Sequence, residues 1–286
     1  MSKLKTQLAV KKELFRGGMA TLSLAVTPEG KQVVLRRLLP MNVLNWPLRQ
    51  GFIQGTRIRA AITPHPQIVD SIEYGFLGDV SAKGVLGDGF VGRLLSSWVP
   101  CEIIEYVDGV NLKNLMQKRD PDVNKYTFEI LRQAAAGLAH LHGKGYMHMD
   151  VKPENLMVHK LENGMEVKLT DFDLSRPAEK KKLESTGGTE LYVPPEQLVE
   201  KIISPASDVF AFGVMAYSLI TGKMPFQGTT ELERKQRQIS RTFMPAEPIA
   251  IKPELSPKLN KVIMHCLEKV YEKRLPNMTY VNAELR

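Results

Sequence analysis

The stretch MHMDVKPENLMVH, Met147–His159, puts Asp150, Lys152 and Asn155 within six positions and frames them with apolar residues on both sides. A core strand has no use for three polar groups so close together. A surface loop has no use for the apolar frame. The combination predicts a polar loop held on a buried scaffold, the usual way a folded chain presents reactive groups. A second acidic stretch, TDFDLSR, follows the next apolar run and carries Asp171. If NLMVH and EVKLTDF pair as a hairpin, Asn155 and Asp171 lie at the same edge. Their oxygens then suit a hard divalent cation, leaving Asp150 to accept a proton or orient a hydroxyl. Lys152 can neutralise a phosphate. That set is the minimum for metal-assisted phosphoryl transfer, which is mostly positioning and charge neutralisation.

The chain around this stretch has globular composition. Its 286 residues are 43% hydrophobic and 24% charged, enough apolar material for a large core in one domain or two lobes. The longest apolar run, Val209–Ile220, is short of the ~20 residues that span a bilayer and reads as a buried helix. The amino terminus, MSKLKTQLAVKKELF, lacks the apolar centre of a signal peptide. Cys101 and Cys266 stand far apart with no CxxC spacing, which fits a reducing cytoplasm better than a disulfide framework. The net charge is +8, and Lys31 to Val69 contains six basic residues and no acidic one. This basic run suits phosphate, nucleic acid, an acidic partner surface or plain solvent. No aromatic interleaving or zinc spacing points to specific nucleic-acid binding.

The period of the apolar positions changes once along the chain. LSLAV and KQVVLRRL flank the turn TPEG and predict a hairpin. Trp46–Ile62 predicts a helix, and HPQIVDSIEYGF and EIIEYVDG predict strands. The glycine-rich segment Leu77–Pro100 between those strands is long for a hairpin loop and predicts a surface insertion. From TFEILRQAAAGLAHLHGKG onward, apolar spacing at i, i+3 and i+4 predicts helices, interrupted by the two short strands named above. The predicted fold is α+β and bilobal: a small β-rich lobe to about residue 105, a hinge at about 105–109, and a larger helical lobe over 110–286.

At this point the chain resembles the protein-kinase family, bacterial Ser/Thr type, along nearly its whole length. H-M-D-V-K-P-E-N is similar to the catalytic loop H-R-D-x-K-x-x-N, D-F-D at Asp171–Asp173 to D-F-G, and GTELYVPPE to the end of an activation segment. SDVFAFG resembles the start of the long buried helix, and Arg274 stands where an arginine pairs with the activation-segment glutamate, here Glu196. The resemblance implies ATP and Mg²⁺ or Mn²⁺ as cofactors and a protein substrate or regulatory protein as partner. It implies catalytic roles for Asp150, Lys152 and Asn155, with Asn155 and Asp171 as metal ligands. It implies nucleotide contacts from Phe15, Gly17, Gly18, Ala20, Leu22, Val34, Arg36, Glu105, Val107 and Met157. Ile104 takes the gatekeeper position, His148 and Phe172 belong to a packed column, and Lys152 and Thr189 match the Ser/Thr subgroup. Ser185, Thr186 and Thr189 are candidate self-phosphorylation sites, and the run Glu179–Thr186 reads as a solvated loop.

The departures gather in the first lobe. FRGGMATLSLAV resembles a glycine-rich phosphate loop with Phe15 in place of the first glycine and Ala20 in place of the third. The phosphate-binding lysine is Arg36, and the residue before last, Val34, replaces a small alanine. The helix glutamate that normally pairs with the lysine falls at Thr56, and Lys31–Val69 offers no carboxylate to replace it. The expected ion pair is therefore missing on both sides, which frees Arg36 for Asp171 or a phosphate. Met149 replaces the catalytic-loop arginine that receives a phosphorylated activation-loop residue, and Asp173 replaces the D-F-G glycine, where it is either an extra metal ligand or, the favoured reading, a solvated side chain. Two readings follow: a Ser/Thr protein kinase with an unusual nucleotide pocket, or a pseudokinase that binds without transfer.

Overall fold

A computed structural model describes residues 2–77, 98–184 and 187–286. The chain divides into two compact units, residues 1–108 and 109–286. The insertion over Leu77–Pro100 and the candidate sites Ser185 and Thr186 fall mainly or wholly outside the described residues.

The first unit is a five-stranded antiparallel sheet with one helix. Its strands are β1 (Ala9–Arg16), β2 (Ala20–Val26), β3 (Gln32–Leu38), β4 (Ser71–Phe76) and β5 (Pro100–Glu105), in the order β1-β2-β3-β5-β4. The TPEG turn closes the β2–β3 hairpin: Thr27 N–H donates to the Lys31 carbonyl at 2.9 Å, and Gly30 takes φ +85°, where a side chain would be strained. Burial alternates along β2 with period two, while β3 is buried on both faces. One face of the sheet packs Ala25, Val33, Leu35, Cys101 and Ile103 together. Helix α1 (Trp46–Ile62) has the span the periodicity predicts. Its Asn45 cap accepts from Leu48 N–H, satisfying one of the orphan donors of the first turn. The helix buries Phe52, Thr56 and Arg59, which share one face at i, i+4, i+7 spacing.

In the second unit, β6 (Val110–Asn111) leads into α2 (Leu112–Gln117), α3 (Pro121–Lys125) and α4 (Thr127–Gly143). Strand β7 (Tyr146–Met147) precedes the hairpin β8 (Leu156–Leu161) and β9 (Gly164–Leu169). Two-residue strands β10 (Arg176–Pro177) and β11 (Lys181–Lys182) follow, then α5 (Pro195–Val199), β12 (Ile202–Ile203) and α6 (Pro205–Thr221). The chain continues through α7 (Glu231–Ile239), α8 (Pro248–Ile251), α9 (Pro257–Cys266) and α10 (Met278–Glu284). Helix α6 carries the longest apolar run and is buried nearly all round, as its uniform composition requires. Among the described residues no helix is long and apolar enough to cross a membrane. Gln133 of α4 clamps the hairpin: its amide donates to the Met165 carbonyl at 2.6 Å and accepts from Val167 N–H at 2.9 Å. The hairpin that carries the polar loop is thereby fixed to the helical core.

One sequence expectation shifts here. Lys181 and Lys182 are exposed but form a short ladder with Ile202 and Ile203, so part of Glu179–Thr186 is a strand rather than a solvated loop.

Candidate functional site

The polar loop sits between β7 and β8 on an apolar frame. Met147, Val151, Leu156 and Val158 are buried, and so is Met149. Two buried interactions shape the backbone. The Asp208 carboxylate, in the first turn of α6, accepts from His148 N–H at 2.6 Å and Met149 N–H at 2.8 Å. It also meets His142 Nε2 at 2.8 Å. His142 Nδ1 accepts from Met278 N–H, which leaves Nε2 as the nitrogen facing Asp208. Burial alone would raise the Asp208 pKa, but the His142 hydrogen bond, the nearby His142 and His148 rings and the backbone donor outweigh it and hold it below the usual value. This anchor keeps Met149 at φ +69°, a left-handed conformation costly for a non-glycine residue. Asp171 also sits at positive φ, +62°.

Asp150 is the centre of the loop's side-chain network. Its Oδ1 accepts from the Thr189 hydroxyl at 3.1 Å and Thr189 N–H at 3.3 Å. Its Oδ2 accepts from Asn155 Nδ2 at 3.0 Å and lies 2.7 Å from Lys152 Nζ. Lys152 Nζ also donates to the Thr189 hydroxyl at 2.8 Å. The carboxylate is thus held by four donors from two segments, oriented rather than free to rotate. A pocket beside it is lined by Met149, Asp150, Thr189, Tyr192 and Val193.

The hairpin expectation for the two acidic stretches agrees with the register. Leu156 pairs with Leu169, and Thr170 N–H donates to the Asn155 carbonyl at 3.0 Å. Asn155 and Asp171 therefore leave the sheet at the same end. The Asn155 amide nitrogen also donates to the Asp150 carbonyl at 2.8 Å. With that nitrogen engaged, its amide oxygen is the atom left for a cation. One amide oxygen and one carboxylate fit Mg²⁺, which takes few protein ligands and completes its shell with water and phosphate oxygens. Phe172, which follows Asp171, is fully buried and packs on His148 with ring centroids 5.2 Å apart. Asp173 is half-buried, and its N–H reaches Asp171 Oδ1 at 3.5 Å. Met157 is half-buried on β8.

Met149 packs with Met147, Ile203, Leu174, Ala178 and Leu183. An apolar cluster fills the place where the family pattern has a charged receiver. Glu196 and Arg274 form a buried bidentate pair at 2.9 and 3.1 Å. Arg274 also donates to the Ala206 carbonyl and lies 4.9 Å from the Phe210 ring, tying α5 to α6.

In the first unit, Leu22, Tyr106 and Val107 pack against Val34, Val69 and Ile104 in one apolar cluster. Glu105 is engaged with Asp70: its N–H donates to the Asp70 carbonyl and its carboxylate accepts from Asp70 N–H. The glycine turn joins β1 to β2. Gly17 N–H donates to the Ala20 carbonyl at 3.0 Å, the exposed Phe15 ring lies against Gly17, and Gly18 faces open space. Asn42 Nδ2 donates to the Gly18 carbonyl at 2.8 Å and pins the turn.

The expectation for Arg36 is corrected. Arg36 is buried, stacks on Phe52 with its guanidinium 4.2 Å from the ring centroid, and pairs with Glu102 at 3.7 Å. The ion pair is not missing. Its carboxylate comes from β5, far along the sequence from the segment Lys31–Val69. The signal was present: Glu102 lies inside an apolar strand, where a lone acid is rarely buried without a partner.

Residues 96–285 match the protein kinase domain family model. Among curated proteins, the chain is similar to serine/threonine-protein kinase pkn2 of Myxococcus xanthus, 29% identical over 93% of this chain and 30% of that protein. It is similar to serine/threonine-protein kinase PknL of Mycobacterium tuberculosis, 38% identical over 46% of this chain and 33% of that protein. It is also similar to serine/threonine-protein kinase PknB of Mycolicibacterium smegmatis, 29% identical over 65% of this chain and 30% of that protein. The chain spans about a third or less of the length of these relatives.

Proposed function

The chain belongs to the protein kinase domain family, and from that premise we propose that it transfers the γ-phosphoryl group of ATP to a serine or threonine hydroxyl of a protein. The observation that carries this reading is the Asp150 carboxylate held at once by Asn155, Thr189 and Lys152. A carboxylate so oriented suits a base that aligns an attacking hydroxyl. Lys152, already against Asp150, would neutralise charge on the transferring group. Asn155 and Asp171 would hold Mg²⁺ or Mn²⁺, which when bound neutralises phosphate charge. The cluster of Leu22, Val34, Ile104 and Val107 is the apolar surface suited to adenine, with Glu105 and Val107 offering backbone groups. Gly17, Gly18 and Ala20 give the phosphates backbone access, with Phe15 as the turn's cover. The names of the similar proteins support the Ser/Thr class, as do Lys152 and Thr189. Cys101 and Cys266 are free and buried, which supports a cytoplasmic setting.

A second reading, a pseudokinase acting as a binding or allosteric module, is favoured by one observation: the β3 cation is an arginine, Arg36, buried and stacked on Phe52. A forked guanidinium does not replace a lysine's point charge at a shaped phosphate site. Labelled phosphate transfer from ATP, with Mg²⁺ or Mn²⁺, onto the chain itself and a generic basic protein separates the two. Transfer in the wild type that falls by about 10³-fold or more in Asp150→Asn supports the kinase. No transfer in either, where a control kinase is active, supports the second reading.

A further inference from the structure

We infer that Glu102 is the positioning carboxylate for Arg36, a part the family pattern gives to the helix, and that α1 here supplies a second cation instead. Arg36 and Glu102 are cross-strand partners in the β3–β5 ladder, so their side chains share a face. That face is covered by α1, which brings Thr56 and Arg59 to the same carboxylate. Glu102 Oε2 lies 2.5 Å from Arg59 Nη1, 3.4 Å from the Thr56 hydroxyl and 3.7 Å from Arg36 Nη1. Its Oε1 accepts from the Ser71 hydroxyl at 3.2 Å. Glu102 is 0% exposed, Arg59 1% and Arg36 6%. A carboxylate buried this fully is tolerable only with several partners, and these come from β3, β4 and α1.

The origin of the carboxylate has a mechanical consequence. When it sits on the helix, moving the helix removes the partner of the β3 cation. Here the distance from Arg36 to Glu102 is set by the sheet's own hydrogen bonds. Displacing α1 breaks the Arg59 and Thr56 contacts and leaves Arg36 with Glu102. Positioning of Arg36 is thus uncoupled from α1, and Arg59 is a fastener of the helix.

The nucleotide part of the test rests on the proposed function, and the stability part does not. Titration calorimetry with Mg·ATP is run at a temperature where every variant is folded. Glu102→Gln weakens binding about tenfold through misplacement of Arg36. Arg59→Leu lowers the melting temperature and leaves affinity within about twofold. Thr56→Glu alone destabilises, because it sets a second carboxylate against Glu102. Combining Thr56→Glu with Glu102→Gln restores both stability and binding. In parallel, a thermal double-mutant cycle measures the coupling of Arg36→Met with Glu102→Gln. That coupling persists in the Arg59→Leu background. Its loss there overturns the inference, as does an Arg59→Leu variant that binds as weakly as Glu102→Gln. Wild-type protein that binds no nucleotide while the coupling persists overturns the proposed function and supports the position of the carboxylate.

Discussion

Two buried glutamates divide the molecule's lessons between its units. Glu196 in the second unit meets one arginine, Arg274, in a bidentate pair, and both residues stand where the family pattern places them. Glu102 in the first unit meets two arginines and two hydroxyls that no local pattern groups together. Both solve the same problem, an ionised group taken out of water, which is stable only with partners in good geometry. The second unit keeps the family's solution. The first unit satisfies its β3 cation with a different set of elements.

The largest expected effect tests the kept solution. Glu196→Gln strands Arg274 among buried groups and costs about 3–5 kcal/mol of stability, measured by denaturant unfolding. A loss under about 1 kcal/mol would mean the pair behaves like a surface bridge and would erase its contrast with exposed pairs. Next, Met149→Arg restores the family's residue in a place built for a thioether. The new guanidinium enters the cluster of Leu174, Ala178, Leu183 and Ile203 and destabilises by about 2–4 kcal/mol. Unchanged stability would show that the pocket still admits a charged receiver.

A titration compares the two units directly. Burial pushes the Cys101 thiol in the first unit and the Cys266 thiol in the second up to about 12. In the unfolded chain these thiols ionise near pH 9, while the folded chain keeps them protonated. The unfolded state therefore binds fewer protons, and stability falls as pH rises from about 9 toward 12. Each thiol contributes up to about 1.4 kcal/mol per pH unit in that window. Melting temperatures from pH 8 to 11 should show the slope, and Cys101→Ala or Cys266→Ala should each reduce it. A slope unchanged in both variants would assign the alkaline loss to other groups. The smallest effect belongs to the surface. Lys160 reaches Asp120 and Asp122 at about 2.7–2.8 Å but is largely solvated, so the melting temperature of Lys160→Ala stays close to that of the wild type.

Legibility followed the range of the interactions. The group of Asp150, Lys152 and Asn155 could be read from one stretch because its members lie close in sequence, while Thr189, which supplies two of the four donors to Asp150, comes from a distant segment. The β8–β9 pairing that brings Asn155 and Asp171 to one edge followed from two short apolar runs and a turn. Helix α1 followed from its spacing alone. Asp208 was visible as an acid opening an apolar helix, yet its grip on His148 and Met149 was not. That bond spans about 60 residues and is chosen by how α6 packs. The missed Glu102 is of the same kind. Arg36 meets its carboxylate across the sheet rather than in the segment that follows it in the chain. The solvated loop expected over Glu179–Thr186 missed the β11–β12 ladder for a similar reason, since half of it is supplied by Ile202 and Ile203.

By itself the sequence determined the α+β class, the β2–β3 hairpin, helix α1, the helical character of the second half and the family. Those depend on local periodicity and on motifs whose members are neighbours in the chain. Only the tertiary structure decided which carboxylate answers Arg36, which acid anchors the loop backbone, and what surrounds Met149. Buried charges and strained backbone are settled by partners brought together from distant segments, and strand register and helix packing determine those meetings.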